Sequence, residues 1–303
     1  MDFAAIVRIA FRALARNKLR SSLTMLGIII GVAAVIAMVS VGQGAQNQVQ
    51  QQIAAMGTNV LFVSAGSAHM HGFRMGSASV KTLTIEDSDA ILKECAAVKA
   101  VAPGVFSSAQ VVYQNQNWST RITGTSPEFF DIRLWPLKSG TVFTKEDLEQ
   151  EANVAILGTT VVENLFGADE DPVGKTIRIK NMPFRVIGVT QAKGQAGMGD
   201  DQDDRIHLPY TTTQKKLLGI TWLHFISVQA VSKEATTVAQ QQIQSLLRQR
   251  HRLRLDEEDD FSVRNLTDIA DLADQAGRVM TLLLGSIASV SLIVGGIGIM
   301  NIM

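Results

Sequence analysis

Charged side chains are missing from two long stretches of this chain. No Lys, Arg, Asp or Glu occurs between Arg20 and Arg74, and none follows Arg278. Inside the first gap, Leu23–Val41 is long enough, at ~1.5 Å per residue, to cross the ~30 Å hydrocarbon core of a bilayer as a helix. Val279–Met303 is long enough to cross with some tilt. A cleaved signal peptide would have a shorter apolar core than the first stretch, and Gly42, Gly44 and Ala45 make a weak cleavage site. A soluble core helix would show one polar face, and this segment has none.

Cysteine is nearly absent too. Cys95 stands alone, so no internal disulfide can form. The 28 Lys and Arg equal the 28 Asp and Glu, and the segment between the two apolar stretches leans acidic, which gives no footprint for nucleic acid. No catalytic triad, paired-carboxylate site or nucleophile elbow is present, and the site expectation is accordingly no catalytic, cofactor-binding or metal-ligating residue. Gly174-Lys175-Thr176 has the ending of a phosphate-binding loop, but Gly167 lies six intervening residues upstream where four are needed, and Thr176 opens a strand instead of a helix. His69, Met70, His71 and Met75 are soft-metal ligand types, yet their glycine and serine neighbours read as a loop. Asp200, Asp201, Asp203 and Asp204 do not follow the EF-hand pattern and read as a solvated acidic loop. The basic run Arg248–Arg254 closes a helix and is followed by Asp256–Asp260, which can neutralise it.

What is present is a directional layout. Arg8, Arg12, Arg16, Lys18 and Arg20 precede the first apolar stretch against the single acid Asp2, which places the N-terminus in the cytoplasm. Residues 1–20 form an amphipathic helix, with Arg8, Arg12 and Arg16 on one face as a cytoplasmic interface. That face serves either as a topology signal or as a partner surface. Gly27 and Gly31 form a GxxxG pair suited to helix packing in lipid. Residues 21–41 are then the first transmembrane helix and 279–303 the second. Residues 42–58 and 266–278 continue them outward as stalk helices.

The segment between the stalks is extracytoplasmic and α+β. Strand–helix–strand occurs twice: Asn59–Val63, a helix capped by Thr84 and Asp87, and Val98–Ala102; then Phe225–Ala230, Ala235–Arg250 and Phe261–Asn265. Two such units can pair into one layer with helices on one face of a sheet. Further strands are expected at Ala109–Tyr113 and Trp118–Thr123, joined to each other by a turn at Asn115-Gln116-Asn117. Residues 125–222 are an insertion dominated by short strands, including a hairpin at Thr176–Ile179 and Phe184–Val189, with a helix at Thr211–Leu218. The expected divisions are 59–124, 125–222 and 223–265.

Residues 17–44, 57–66, 154–167, 171–179 with 184–189, 203–219 and 295–303 together resemble MacB-like permease subunits of ABC transporters, in the FtsX-like superfamily. They recur in that family's order over almost the whole chain. The resemblance implies a multi-pass protein of the cell inner membrane that dimerises with a second copy or a close relative. Its large periplasmic domain has a duplicated Porter-like layer and an inserted Sabre-like subdomain. It implies mechanotransmission: ATP-driven motion is passed to the periplasmic domain for efflux of drugs, peptides or similar substrates, with a periplasmic adaptor and an outer-membrane channel as partners. No ATPase domain precedes the first span, so the resemblance assigns ATP and Mg to a separate ABC ATPase subunit and no cofactor to this chain. Because the sequence stops at Met303 while still apolar, it reads as truncated after the second span. A two-span receptor with an extracytoplasmic sensor domain is the alternative with the same topology.

Overall fold

The computed structural model describes residues 59–66, 69–70, 73–74, 81–167, 170–195, 201–254 and 256–265, with scattered helical positions between 18 and 44 and between 275 and 289. Arg8, Arg12, Arg16, Gly27 and Gly31 lie outside the described residues, as does most of both expected stalks. The chain divides into two compact units, residues 1–50 with 270–303, and residues 51–269. In the first unit, the described positions are helical and expose large apolar side chains, among them Ile29, Val41 and Leu282. Among the described residues no helix is long and apolar enough to cross a membrane.

The second unit is a mixed α/β domain. Its strands are β1 (Val60–Ala65), β2 (His69–Met70), β3 (Phe73–Arg74), β4 (Val98–Tyr113), β5 (Gln116–Thr125), β6 (Leu137–Gly140), β7 (Val154–Leu157), β8 (Thr176–Ile179), β9 (Met182–Thr190), β10 (Arg205–Pro209), β11 (Phe225–Ala230) and β12 (Phe261–Asn265). Its helices are α1 (Ile85–Glu94), α2 (Glu128–Ile132), α3 (Lys145–Glu149), α4 (Thr159–Leu165), α5 (Tyr210–Thr212), which runs into a π-helical turn at Thr213–Leu218, and α6 (Thr236–Arg250). One large sheet has the order β12-β1-β11-β4-β5-β10-β7-β9-β6, with β8 paired to β4 and β9. The two strand–helix–strand units therefore interleave at one end of the sheet, and the same sheet continues through the strands of 125–222.

Periodicity explains most of these elements. In β1, Leu61, Val63 and Ala65 point to one buried face. On α6, Ala239, Ile243 and Leu247 recur at helical spacing and are buried against the same face, together with Ile91 of α1 and Ile226 and Val228 of β11. Thr84 and Asp87 close the expected capping box: the Thr84 backbone N–H donates to Asp87 Oδ2 at 2.9 Å, and the Asp87 N–H donates to Thr84 Oγ1 at 3.3 Å. A second core lies around Val111, Ile122, Ala155, Leu157 and Phe184. A third joins Ala102 and Phe225 to Phe129 and Phe130 of α2, with Trp135, Phe143 and Ile156.

Three expectations change. The separate strands at 98–102 and 109–113 are one 16-residue strand, β4, which runs through Pro103 and Gly104. Gly104 is there because the Phe225 ring crosses it: a Cβ at this position would sit 2.0 Å from Phe225 Cζ. The hairpin turn lies at Gln114-Asn115, with Gln114 at φ +49°, and Gln116 and Asn117 already pair with Tyr113 and Val112. The acidic loop is not simply solvated, because Asp203 is buried and its carboxylate accepts from the N–H groups of Lys193 and Gly194 at 2.9 and 2.7 Å.

Candidate functional site

The two routes out of the domain are side by side. β1 and β12 are antiparallel neighbours, with Leu61 opposite Asn265 and Ala65 opposite Phe261. The chain enters at the Leu61 end and leaves at the Asn265 end, so both connections emerge from one end of one strand pair. β1 is hydrogen-bonded on its other side to β11, and its Leu61 and Val63 are fully buried. A displacement applied at either connection acts on this pair, and through it on a close-packed core of low compressibility.

The opposite end of the pair is held by charge. The Gly66 N–H donates to the Asp260 carbonyl at 2.8 Å, and a Cβ on Gly66 would lie 2.7 Å from the Asp260 backbone. Asp260 turns its carboxylate to His251, with Nδ1 to Oδ1 at 2.7 Å. His251 reaches back through Nε2 to Asp87 Oδ2 at 3.4 Å, and Arg250 Nε donates to Asp87 Oδ1 at 2.7 Å. Arg248 pairs with Asp259 beside them. The first turn of α1, the last turn of α6 and the start of β12 are thereby tied together.

The electrostatics follow from the packing. Burial alone would raise the Asp87 carboxyl, but hydrogen bonds from His251, Arg250 and Thr84 outweigh it and hold the group far below the carboxylate range. Hydrogen bonds to Asp260 and Asp87 push the His251 imidazole up to about 9, against the opposing effect of burial. The imidazolium therefore donates from both nitrogens near neutral pH, and its ring meets Phe261 edge-on with centroids 5.7 Å apart. Within the basic run, Arg248 and His251 pair with Asp259 and Asp260 of the acidic run, whereas Arg250 pairs with Asp87. The buried acid at the centre, Asp87, comes from the other strand–helix–strand unit, and no local pattern marks it beyond its capping role.

The remaining candidates fall apart in the structure. Thr176 is the first residue of β8, Gly174 holds the preceding turn at φ +86°, and Lys175 pairs with Glu170 at 3.2 Å. His69 and Met70 lie in β2, which forms a small hairpin with β3. Among the described residues no group of three His, Cys, Asp or Glu is placed to hold a metal ion. The arrangement at Asp87 joins elements mechanically and presents no reacting group.

Comparison with known proteins gives a consistent result. Residues 21–246 match the family described as the MacB-like periplasmic core domain. The Macrolide export ATP-binding/permease protein MacB of Wolinella succinogenes is 41% identical over 303 residues, covering 100% of this chain and 46% of that protein. The protein of the same name from Chlorobaculum tepidum is 43% identical over 294 residues, covering 97% of this chain and 45% of that protein. The chain thus spans about half the length of the curated relatives it matches. Among solved structures, the periplasmic region of MacB from Actinobacillus actinomycetemcomitans superposes with a TM-score of 0.61 at 26% identity, over 73% of this chain and 95% of that one. The extracellular domain of the noncanonic ABC-type transporter YknZ from Gram-positive bacteria shares the fold, with a TM-score of 0.55 at 19% identity over 68% of this chain and 100% of that one.

Proposed function

The chain belongs to the MacB-like periplasmic core domain family, and on that premise we propose that it is a permease part of an ABC efflux transporter in the inner membrane, passing ATP-driven motion to its periplasmic domain. In this reading residues 21–41 and 279–303 span the bilayer, Gly27 and Gly31 pack the first span against a second permease copy, and Arg8, Arg12 and Arg16 face the cytoplasm. ATP is hydrolysed by an ABC ATPase, and residues 1–303 take the permease part. A periplasmic adaptor and an outer-membrane channel complete the export path. Drugs or peptides are the substrate class.

One observation supports this most: both connections to the expected stalks leave from the paired residues Leu61 and Asn265. Stalks anchored on adjacent hydrogen-bonded strands move the sheet as a body instead of pulling separate elements apart. The test is ATP-dependent export by the full-length chain reconstituted with an ATPase subunit, in a Cys95→Ala background carrying Leu61→Cys and Asn265→Cys. Directly opposed positions have the spacing a disulfide tolerates. Export that persists when this bond is oxidised is the expected result. Export lost on oxidation and restored by reductant overturns transmission through a rigid strand pair, and absence of export in every state overturns the permease reading.

A further inference from the structure

His224 stands where the ladder between β4 and β11 ends. Phe225, the first residue of β11, lies opposite Gly104 of β4. One residue further, the His224 N–H still donates to the Gly104 carbonyl at 3.0 Å, but the Leu223 N–H turns away to the Leu83 carbonyl at 2.7 Å. β4 therefore runs on past its partner. The next N–H on that side of β4 belongs to Phe106, and it donates to His224 Nδ1 at 2.8 Å. A side-chain nitrogen thus takes the place of the backbone carbonyl that a longer β11 would supply. The backbone held in this way carries a ring with wider contacts. Phe106 is nearly half exposed, and it is the outer member of a stack that runs through Phe225 to Phe62 of β1.

This bond depends on the charge of the imidazole. Nδ1 accepts only in the neutral tautomer with its proton on Nε2, whereas the imidazolium carries a proton on both nitrogens and sets one N–H against another. His224 is half-buried, so protons from solvent reach it. The groups around it carry no charge of their own. The Phe106 ring lies parallel to the imidazole with centroids 6.3 Å apart, the Ala65 N–H donates to the His224 carbonyl, and Thr123 and Thr125 of β5 stand opposite Phe106 and Gly104. Charged side chains on the neighbouring segments are engaged elsewhere. Lys81 Nζ sits 4.3 Å over the Trp222 ring, the Asp260 carboxylate bonds His251, and Glu128 of α2 pairs with Lys145 at 3.4 Å; Asp131 of α2 is exposed. Burial lowers the His224 pKa below its ordinary value of 6.5.

We propose that His224 is an acid-operated latch on the end of the β4–β11 ladder: the neutral ring holds the Phe106 backbone, and the protonated ring releases it. Because the folded value lies below 6.5, the latch is closed above pH 6.5 and opens as pH falls through the folded value. The latch does not rest on the transport reading, and its test reads one amide without transport. Amide exchange at Phe106 is followed in the detergent-solubilised full chain at about pH 8 and about pH 5. Each rate is divided by that of an unstructured peptide at the same pH, which removes the intrinsic effect of pH on exchange. Protection at Phe106 should fall by about fivefold or more in acid, the loss expected for one hydrogen bond. Val63 of β1 is the control and should change less. An equal fall at Val63 would mark a general loosening of the domain, and the proposal would fail. His224→Asn puts Oδ1 where Nδ1 lies and accepts at both pH values, so protection at Phe106 should stay high at both. His224→Leu has no acceptor and should show the low, acid level at both. A native chain equally protected at the two pH values overturns the latch, and so does an asparagine variant that follows the native decline. The native comparison needs no variant, so the outcome stands even where the leucine variant fails to fold.

Discussion

Arg250, at the end of α6, places its Nε 2.7 Å from the carboxylate of Asp87 in the first turn of α1. Asp87 is almost wholly buried and Arg250 about two-thirds so. The pair joins the two strand–helix–strand units directly, at the end of the β1–β12 pair away from the chain connections.

Neutralising Asp87 therefore leaves Arg250 and His251 without their shared anion. Breaking a buried pair costs about 3–5 kcal/mol, and screening at the partly exposed Arg250 reduces this to about 2–4 kcal/mol for Asp87→Asn. The control is Asp147→Asn. Asp147 forms the same capping box, with Thr144 N–H donating to it at 2.7 Å, but on the surface and with no cation bonded to it among the described contacts. That change should cost about 1 kcal/mol or less. Chemical denaturation of the full chain compares them, and equal losses would show that Asp87 acts only as a cap.

The same cluster gives a pH dependence of defined sign. The folded His251 value of about 9 exceeds its ordinary value of 6.5, so its contribution is full below 6.5 and disappears as pH rises through 9. That shift corresponds to at most about 3 kcal/mol. Asp87 is displaced downward, so its contribution is present above the ordinary carboxylate value and is lost only in strong acid. His251→Gln should be less stable near pH 6 and should lose most of the decline between pH 6.5 and 9. An unchanged alkaline slope would assign that decline to other groups.

His207 titrates in the opposite sense. It is fully buried, neither ring nitrogen has a partner among the described residues, and Phe129, Phe130 and Trp135 surround it with centroids 5.2–5.6 Å away. Burial, with Arg205 and Arg133 nearby, lowers its pKa to about 3. Neutral His207 is compatible with the fold above pH 6.5, and stability is lost as pH falls from 6.5 towards 3. His207→Leu removes two unsatisfied polar atoms, so it should gain about 1 kcal/mol at pH 7 and more at pH 5. Denaturation curves at the two pH values test this, and a loss at both would mean that the ring nitrogens are satisfied by buried water.

These sites differ in how far the sequence reveals them. The strand at 225–230 and the helix at 236–250 follow from apolar spacing, and the basic and acidic runs after α6 announce their own pairing. Asp87 does not announce its second role, because Arg250 is 163 residues away in the chain. Asp203 reads as one of several surface acids, and nothing local signals that the Lys193 and Gly194 N–H groups bind its carboxylate. His207 sits in an apolar strand, IHLP, whose neighbours Phe129 and Trp135 are supplied by a segment, 128–149, with no long periodic element. The Thr144–Asp147 capping box in that segment is a readable signal for α3.

Pro103-Gly104 is the clearest conflict between local signal and fold, since the pair reads as a strand break and β4 passes straight through it. The reason is Phe225. Its ring is stacked between Phe62, at 5.2 Å, and Phe106, at 4.4 Å, and lies where a side chain at position 104 would be. A ring held on both faces cannot swing aside for a methyl group. Gly104→Ala should therefore cost at least about 1–3 kcal/mol, the range for overpacking a core. Phe225→Leu alone loses stacking and packing, but it frees the space above residue 104. The double variant should then be more stable than the sum of the single losses predicts, by about 1 kcal/mol or more. A double-mutant cycle in denaturant measures that coupling directly. Additive losses would mean that glycine is required at 104 by the backbone of β4 and not by the aromatic stack laid across it.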